Sequence, residues 1–304
     1  MKRRCLAFHI GDHDLVATMH EPTPSSSTSA RRGFVMLNAG PAPRAGNSDL
    51  SARLCDRVAS MGMPSFRVDF VGLGDSSGAS WKDIGQYQHA NESGVNALQL
   101  AVVIDELCER HALDSLYIGG LCAGATSALS AVTSRGERVA GLVLFEPELR
   151  RSHTPASLSG SSVGPRRVHA TLWAKLHDPE RLLARCATLL GRWSLAKPFA
   201  RALSAWLARR SEHHLPPDAL VWAAQAWSDA LDRGIPVGSI VAQDDVTDLY
   251  IGRIGRAQKF GRSSHHQITR LPGVNHLLTS EGAADAAIEA TADWLRATET
   301  ARTQ

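Results

Sequence analysis

The sequence predicts an α/β protein built on a mostly parallel sheet with helices on both faces. Three observations carry this expectation. Short apolar runs of strand length recur along the chain, most are followed by a helical stretch, and the runs are apolar at successive positions, as strands covered on both faces must be. The 304 residues, 43% hydrophobic and 21% charged, suffice for one large domain or two small ones and exclude a collagen-like or globally disordered chain.

The elements follow in order. Residues 15–20 read as an early strand, and the Ser/Thr/Pro stretch EPTPSSSTSARRG behind them as a connection without core residues. Residues 34–38 form a buried-strand run, and the Gly/Pro loop 39–46 leads into a helix capped near Asn47 or Ser48. A strand over 64–70, a helix over 91–110, a strand over 115–119, a helix from Ala123 and a strand over 141–145 continue the alternation. It then stops. Residues 150–234 contain no convincing strand and show helical patterns such as Leu182, Leu183, Cys186, Leu189 and Leu190. A strand over 235–242, a helix near 248–260, a strand over 267–271 and a helix over 281–297 complete the sheet. The expected organisation is a core of residues 1–149 and 235–304 carrying a helical lid at 150–234.

Several classes are excluded. No apolar stretch approaches the roughly 20 residues of a membrane span, and the basic N-terminus has no apolar segment behind it, so a cytoplasmic protein without a membrane partner is expected. Five cysteines without CxxC spacing argue against a disulfide framework and a zinc site, and the adjacent pairs His213-His214 and His265-His266 cannot share a face. No metal or cofactor is expected. No nucleic-acid-reading motif is present. The net charge of +3 is uneven: residues 150–214 hold 12 Lys and Arg against 3 acids, +9 in all, which leaves −6 for the rest. Such a stretch suits either a solvated helical surface or an acidic partner.

The chemistry centres on Gly120-Leu121-Cys122-Ala123-Gly124, which follows a strand and opens a helix. This is the form of a nucleophile elbow with Cys in place of Ser; small residues two before and two after are needed because the turn is too tight for side chains. The helix N-terminus aims N–H groups and a positive dipole end at the sulfur, which favours a thiolate. Candidate acid and base follow in the chain order this elbow requires: Asp245 after the strand at 235–242, and His276 after the strand at 267–271. Asp244, Asp248 and Glu146 are alternatives for the acid, Glu146 because it too ends a strand. In this scheme His276 takes the thiol proton and the carboxylate fixes its tautomer. Ala123 and Ala42 are the expected oxyanion donors; Pro41 has no N–H to offer. Gly40 and Arg44 of the same loop, with Trp173 and Trp222 of the insertion, are candidate substrate-binding residues. Five of the seven Trp lie in 150–234, where they either line an acyl pocket or pack the lid. The stretch from Asp69 to Ser76 lacks the third glycine of a dinucleotide fingerprint and reads as a tight turn beside the site.

These residues resemble the α/β-hydrolase superfamily over nearly the whole chain: the loop 38–44, Arg67-x-Asp69-x-x-Gly72-x-Gly74-x-Ser76, the elbow, Asp245 and His276. The loop and the Gly-rich stretch are most similar to hydrolases associated with exosortase systems, whose nucleophile is normally Ser. A Cys at the elbow is similar to dienelactone hydrolases, polyhydroxyalkanoate synthases and some thioesterase or cyclase domains of natural-product assembly lines. The resemblance implies acyl transfer. A Cys acyl-enzyme is a thioester, still activated toward amines, alcohols or thiols, which points to a carrier-protein- or CoA-linked acyl thioester as substrate. Hydrolysis of a small activated ester or lactone and a non-catalytic binding role are the alternatives.

Overall fold

The computed structural model describes residues 2–23, 31–151, 215–243, 245–258, 260 and 263–303. Eight strands form one sheet: β1 (Arg3–Ile10), β2 (His13–His20), β3 (Arg32–Leu37), β4 (Ser65–Asp69), β5 (Ser115–Leu121), β6 (Val139–Phe145), β7 (Val237–Ala242) and β8 (His266–Leu271). Their order is β1-β2-β4-β3-β5-β6-β7-β8. β1, β2 and β4 pair antiparallel, and the strands from β4 to β8 run parallel. This is the α/β-hydrolase fold.

Strand periodicity divides the core into two layers. Val35 and Leu37 of β3, Ile118 of β5 and Leu142 and Leu144 of β6 face one cluster, whereas Phe34, Met36, Tyr117, Val143 and Phe145 face the other. Successive side chains of a strand point to opposite faces, so a strand buried on both must be apolar throughout. The helix α1 (Leu50–Ser60) buries Leu50, Leu54, Cys55 and Val58, at helical spacing, in the second cluster. The last helix of the chain, Ala283–Thr303, joins it there through Ala287, Ile288, Trp294 and Leu295. The helices α2 (Ile84–Glu92), α3 (Asn96–Arg110) and α4 (Ala123–Arg135) follow β4 and β5, and Tyr87, Leu100, Val103, Ile104 and Leu129 place them in the first cluster.

This order positions the site. The chain leaves β3 through α1 to β4 on one side, then crosses through α2 and α3 to β5 on the other. The connection that leaves β3 runs through α1 to β4 on one side and the one that leaves β5 runs through α4 to β6 on the other, so the chain diverges at the C-terminal ends of β3 and β5, the switch point where open parallel sheets leave a crevice.

Two expectations need correction. β1 was not foreseen because it is an edge strand: only Phe8 of its eight residues is buried, so its hydrophobic signal is weak. Residues 215–234, expected to belong to the lid, are part of the compact unit that holds the core. Their helix α5 (Val221–Asp232) packs Ala223, Ala224, Ala226, Trp227 and Ala230 into the first cluster, and the Trp227 ring stacks on Phe260 with centroids 5.1 Å apart. The chain on either side of the insertion is stitched together, Arg151 N–H donating to Asp218 O at 2.8 Å and Leu220 N–H to Leu149 O at 2.8 Å. The lid reading of 152–214, with Trp173, lies outside the described residues. After α5, α6 (Val246–Ala257) follows β7, and α7 is the final helix Ala283–Thr303.

Trp227→Ala is expected to lower the unfolding free energy of the core by about 3–5 kcal/mol, the cost of emptying a fully buried aromatic site. Urea denaturation checks this; an unchanged midpoint would return α5 to the insertion.

Candidate active site

Cys122 closes β5 and caps α4 with φ 56° and ψ −117°, a conformation L-residues rarely adopt. Its N–H donates to Phe145 O at 2.8 Å, which ties the turn to the end of β6. Both flanking glycines are required by contact. A Cβ on Gly120 would sit 2.2 Å from the Gly124 carbonyl carbon, and one on Gly124 would sit 2.2 Å from Asn38 O. The elbow therefore packs backbone to backbone against the loop after β3. The other described cysteines differ from it: Cys5 is exposed, while Cys55 and Cys108 are buried, and burial pushes their thiols up to about 12 and about 11.

His276 stands in a turn after β8 that Asn275 holds by accepting from Thr279 N–H at 2.9 Å, donating to Thr279 Oγ1 at 2.8 Å and giving its own N–H to Ser280 Oγ at 3.1 Å. The imidazole lies beside Cys122. Its Nδ1 meets Glu146 Oε2 at 3.2 Å, Thr247 Oγ1 at 3.3 Å and Asp245 Oδ2 at 3.6 Å. Hydrogen bonds to the sulfur first, and to Glu146 second, outweigh burial and push the imidazole up to about 10.

Asp245, expected to orient the imidazole, is thus the more distant of the two carboxylates. Its Oδ1 accepts from Val246 N–H at 2.7 Å as the N-cap of α6, and its side chain is one-third exposed. Glu146 is fully buried, at φ 45°, and its Oε1 accepts from Ala242 N–H at the end of β7. Asp248 is held by Arg270 Nε, 2.9 Å from both oxygens, and Asp244 lies outside the described residues.

Donor atoms of Glu146, Asp245 and His276 lie within 4.8 Å of one another, a spacing that a metal ion could bridge. The proton that Cys122 and Glu146 favour on the imidazole would compete with such an ion.

The loop after β3 departs from expectation at two positions. The Ala42 N–H, the expected oxyanion donor, is engaged with Ala39 O at 3.2 Å in a turn whose second residue, Gly40, has φ +61°. Arg44, expected to meet substrate, is built into the framework. Its guanidinium pairs with Asp69, with Asp75 at 2.6 Å and with Thr18 Oγ1 at 2.9 Å, and its N–H donates to Asp69 Oδ1 at 2.7 Å. Asp69 is fully buried and also accepts from Asn38 Nδ2 at 2.8 Å and Asp75 N–H at 3.2 Å. A Cβ on Gly74 would lie 2.1 Å from Asp69 Oδ2, which is why the stretch is Gly-rich. Ala123 occupies the first position of α4, where an N–H has no intrahelical acceptor. Trp222 is half-buried and donates from Nε1 to Glu92 O at 2.8 Å, tying α5 to the end of α2. Two neighbours of the reacting groups were not foreseen: Thr247, and Glu148, whose Oε2 lies 3.9 Å from Cys122 Sγ. The signal for Glu148 was its place two residues beyond Glu146, past Pro147.

No family model matches the sequence, and no curated protein matches it. Solved structures do. The dienelactone hydrolase of Anabaena variabilis superposes with a TM-score of 0.55 at 13% identity, covering 97% of each chain. The thioesterase domain from the curacin biosynthetic pathway gives 0.53 at 14%, over 96% of this chain and 100% of its own. The haloalkane dehalogenase DbeA of Bradyrhizobium elkani gives 0.56 at 14%, over 99% and 100%. At these identities the likeness establishes the fold. Among the described residues no helix is long and apolar enough to cross a membrane.

Two predictions follow from this geometry. Arg44→Ala leaves a buried carboxylate unpaired and is expected to cost about 3 kcal/mol in urea unfolding; loss of activity at unchanged stability would restore a substrate-binding role. By NMR, His276 stays imidazolium through neutral pH and titrates near 10, and Cys122→Ala and Glu146→Gln each lower that value. Because the folded value is raised, the associated stability is complete below about pH 6.5 and is lost as pH rises through about 10.

Proposed function

We propose that the chain is an acyl-transfer enzyme in which Cys122 is the nucleophile, His276 its proton acceptor and Glu146 the carboxylate that orients and stabilises the imidazolium. The observation that carries this reading is the meeting of three strand ends: a Cys at φ 56° after β5, a His after β8 whose proton affinity that sulfur raises, and a buried Glu after β6, 3.2 Å from the imidazole. Asp245 gives the imidazole a secondary, partly solvated contact.

The thiolate attacks an acyl carbonyl, and the oxygen that gains charge is received by Ala123 N–H and by a backbone N–H of the Ala39-Gly40 segment, which replaces Ala42 in that role. The product of the first half-reaction is a thioester on Cys122, and an acceptor then takes the acyl group. A thioester donor, carrier- or CoA-linked, matches a Cys nucleophile because one thioester exchanges for another at little cost in free energy. The excess positive charge of residues 150–214 suits such a donor's phosphates or acidic surface. The thioesterase domain and the dienelactone hydrolase that share the fold bear names consistent with this class. A cytoplasmic setting, without membrane or nucleic-acid partners, belongs to the same proposal.

Intact-mass measurement after brief exposure to acyl thioesters of graded length is expected to show one acyl adduct on the wild type and none on Cys122→Ala. Absence of both adduct and thioester consumption would overturn the reading. Turnover measurements divide the two carboxylates: Glu146→Gln is expected to lower kcat by ~100-fold or more, and Asp245→Asn by less than about 10-fold. The reverse ranking would return the acid's role to Asp245.

A further inference from the structure

His276 meets Glu146, and Cys122 and Glu146 together favour the charged imidazole while the sulfur is unacylated. A departing group needs a proton donor, and an incoming acceptor needs a base. Acyl transfer needs both services, one in each half-reaction.

Glu148 is placed to supply them. Its main chain is locked to the elbow: Thr126 Oγ1 donates to Glu148 O at 2.7 Å and to Cys122 O at 3.3 Å, and Glu148 N–H points to Cys122 O at 3.5 Å. Its carboxyl is thereby carried to 3.9 Å from Sγ. A carbonyl carbon bonded to that sulfur is one bond length away from it, so the group leaving or entering at that carbon comes within reach of Oε2. We propose that Glu148 protonates the leaving group of the acyl donor and then deprotonates the acceptor. This inference rests on the acyl-transfer reading and assigns its proton traffic.

The steps balance. In acylation the Sγ–C bond forms, the bond from carbon to the leaving atom breaks with its electron pair, and the Glu148 proton passes to that atom. In deacylation the acceptor's O–H, N–H or S–H proton passes to the Glu148 carboxylate as the acceptor bonds to carbon, and the C–Sγ pair returns to sulfur.

The surroundings agree. Burial, and then the nearby Glu92 carboxylate from α2, raise the Glu148 pKa from its ordinary value against the opposing pull of His276, Arg150 and the Cys122 hydrogen bond. A carboxyl so placed holds a proton more readily than a solvated one, while Glu146 faces the imidazole and a backbone N–H. Pairs of acids in different surroundings take different roles.

The test compares wild type, Glu148→Gln and Glu148→Asp on p-nitrophenyl butyrate, whose leaving group needs no proton, and ethyl butyrate, whose leaving group does. Single-turnover acylation is followed by intact mass. The expected result is that Glu148→Gln acylates within about threefold of wild type from the p-nitrophenyl ester but loses at least ~100-fold on the ethyl ester, and that Glu148→Asp recovers part of the loss. In the wild type, kcat/KM for the ethyl ester should fall as pH rises and Glu148 loses its proton; in Glu148→Gln that limb should vanish. Equal losses on both esters, or none on either, overturn the proposal while leaving acyl transfer intact. Failure of the wild type to form any Cys122 adduct with the activated ester overturns the acyl-transfer reading itself.

Discussion

The structure depends on one close approach. Cys122 turns the chain through a left-handed conformation, and α4 then starts so near the sheet that Gly124 rests on the Asn38 carbonyl. A side chain at Gly124 would push the elbow and the loop after β3 apart, and one at Gly120 would push the start of α4 off β5. Such strain costs on the order of 1–3 kcal/mol and persists only where the surroundings over-determine it. Here they do: β5 is buried from Leu116 onward, and α4 is buried at every residue from Ala123 to Val132. The elbow sets the separation between Cys122 and the loop after β3, and through Thr126 it also sets where the chain after β6 passes the sulfur.

The loop on the other side of that approach is held by charge. Asp69 gathers the Asn38 amide, the Arg44 backbone and guanidinium and the Asp75 N–H around a fully buried carboxylate. Asn38 Oδ1 in turn accepts from Phe70 N–H at 3.0 Å. Arg67 adds a second line, donating from Nη1 to Arg44 O at 3.1 Å and from Nε to His20 Nε2 at 2.9 Å, with His20 Nδ1 meeting Asp56 at 2.7 Å. A buried ion network contributes little net stability against its desolvation cost, yet removing one member leaves the rest uncompensated. Its value to this protein is geometric: it fixes a loop rich in Gly and Pro that has no regular structure of its own.

This division explains what could be read from residues alone. Strands β3, β5, β6 and β7 were legible because burial on both faces leaves a nearly continuous signal of apolar and small residues, whereas the buried β4 carries Arg67 and Asp69; the elbow was legible because sterics dictate its glycines. That His276 follows β8 could be read from chain order. β1 was not, since an edge strand with one buried side chain has no pattern to detect. The expectation for α5 failed because Trp222 and Trp227 resemble pocket-lining residues in sequence, whereas Trp227 is core. Arg44 failed for a related reason: a guanidinium that anchors a loop and one that awaits an anion look alike until their partners are placed. The choice between Glu146 and Asp245 turned on backbone geometry. Both end strands, but only Glu146 takes a left-handed turn that leaves it fully buried, against the imidazole and a β7 N–H.

The sulfur is therefore more than a substitute for an alcohol. The largest influence raising the His276 pKa is the hydrogen bond to Cys122, with Glu146 second. The charged imidazole is a consequence of the sulfur at position 122 as much as of its carboxylate partner. With an oxygen at position 122 that leading influence would be lost, and the imidazole would return toward the range in which it can accept and release protons at neutral pH. Two glutamates separated by one proline, one against the imidazole and one against the sulfur, place two carboxyls at these side chains without a further structural element.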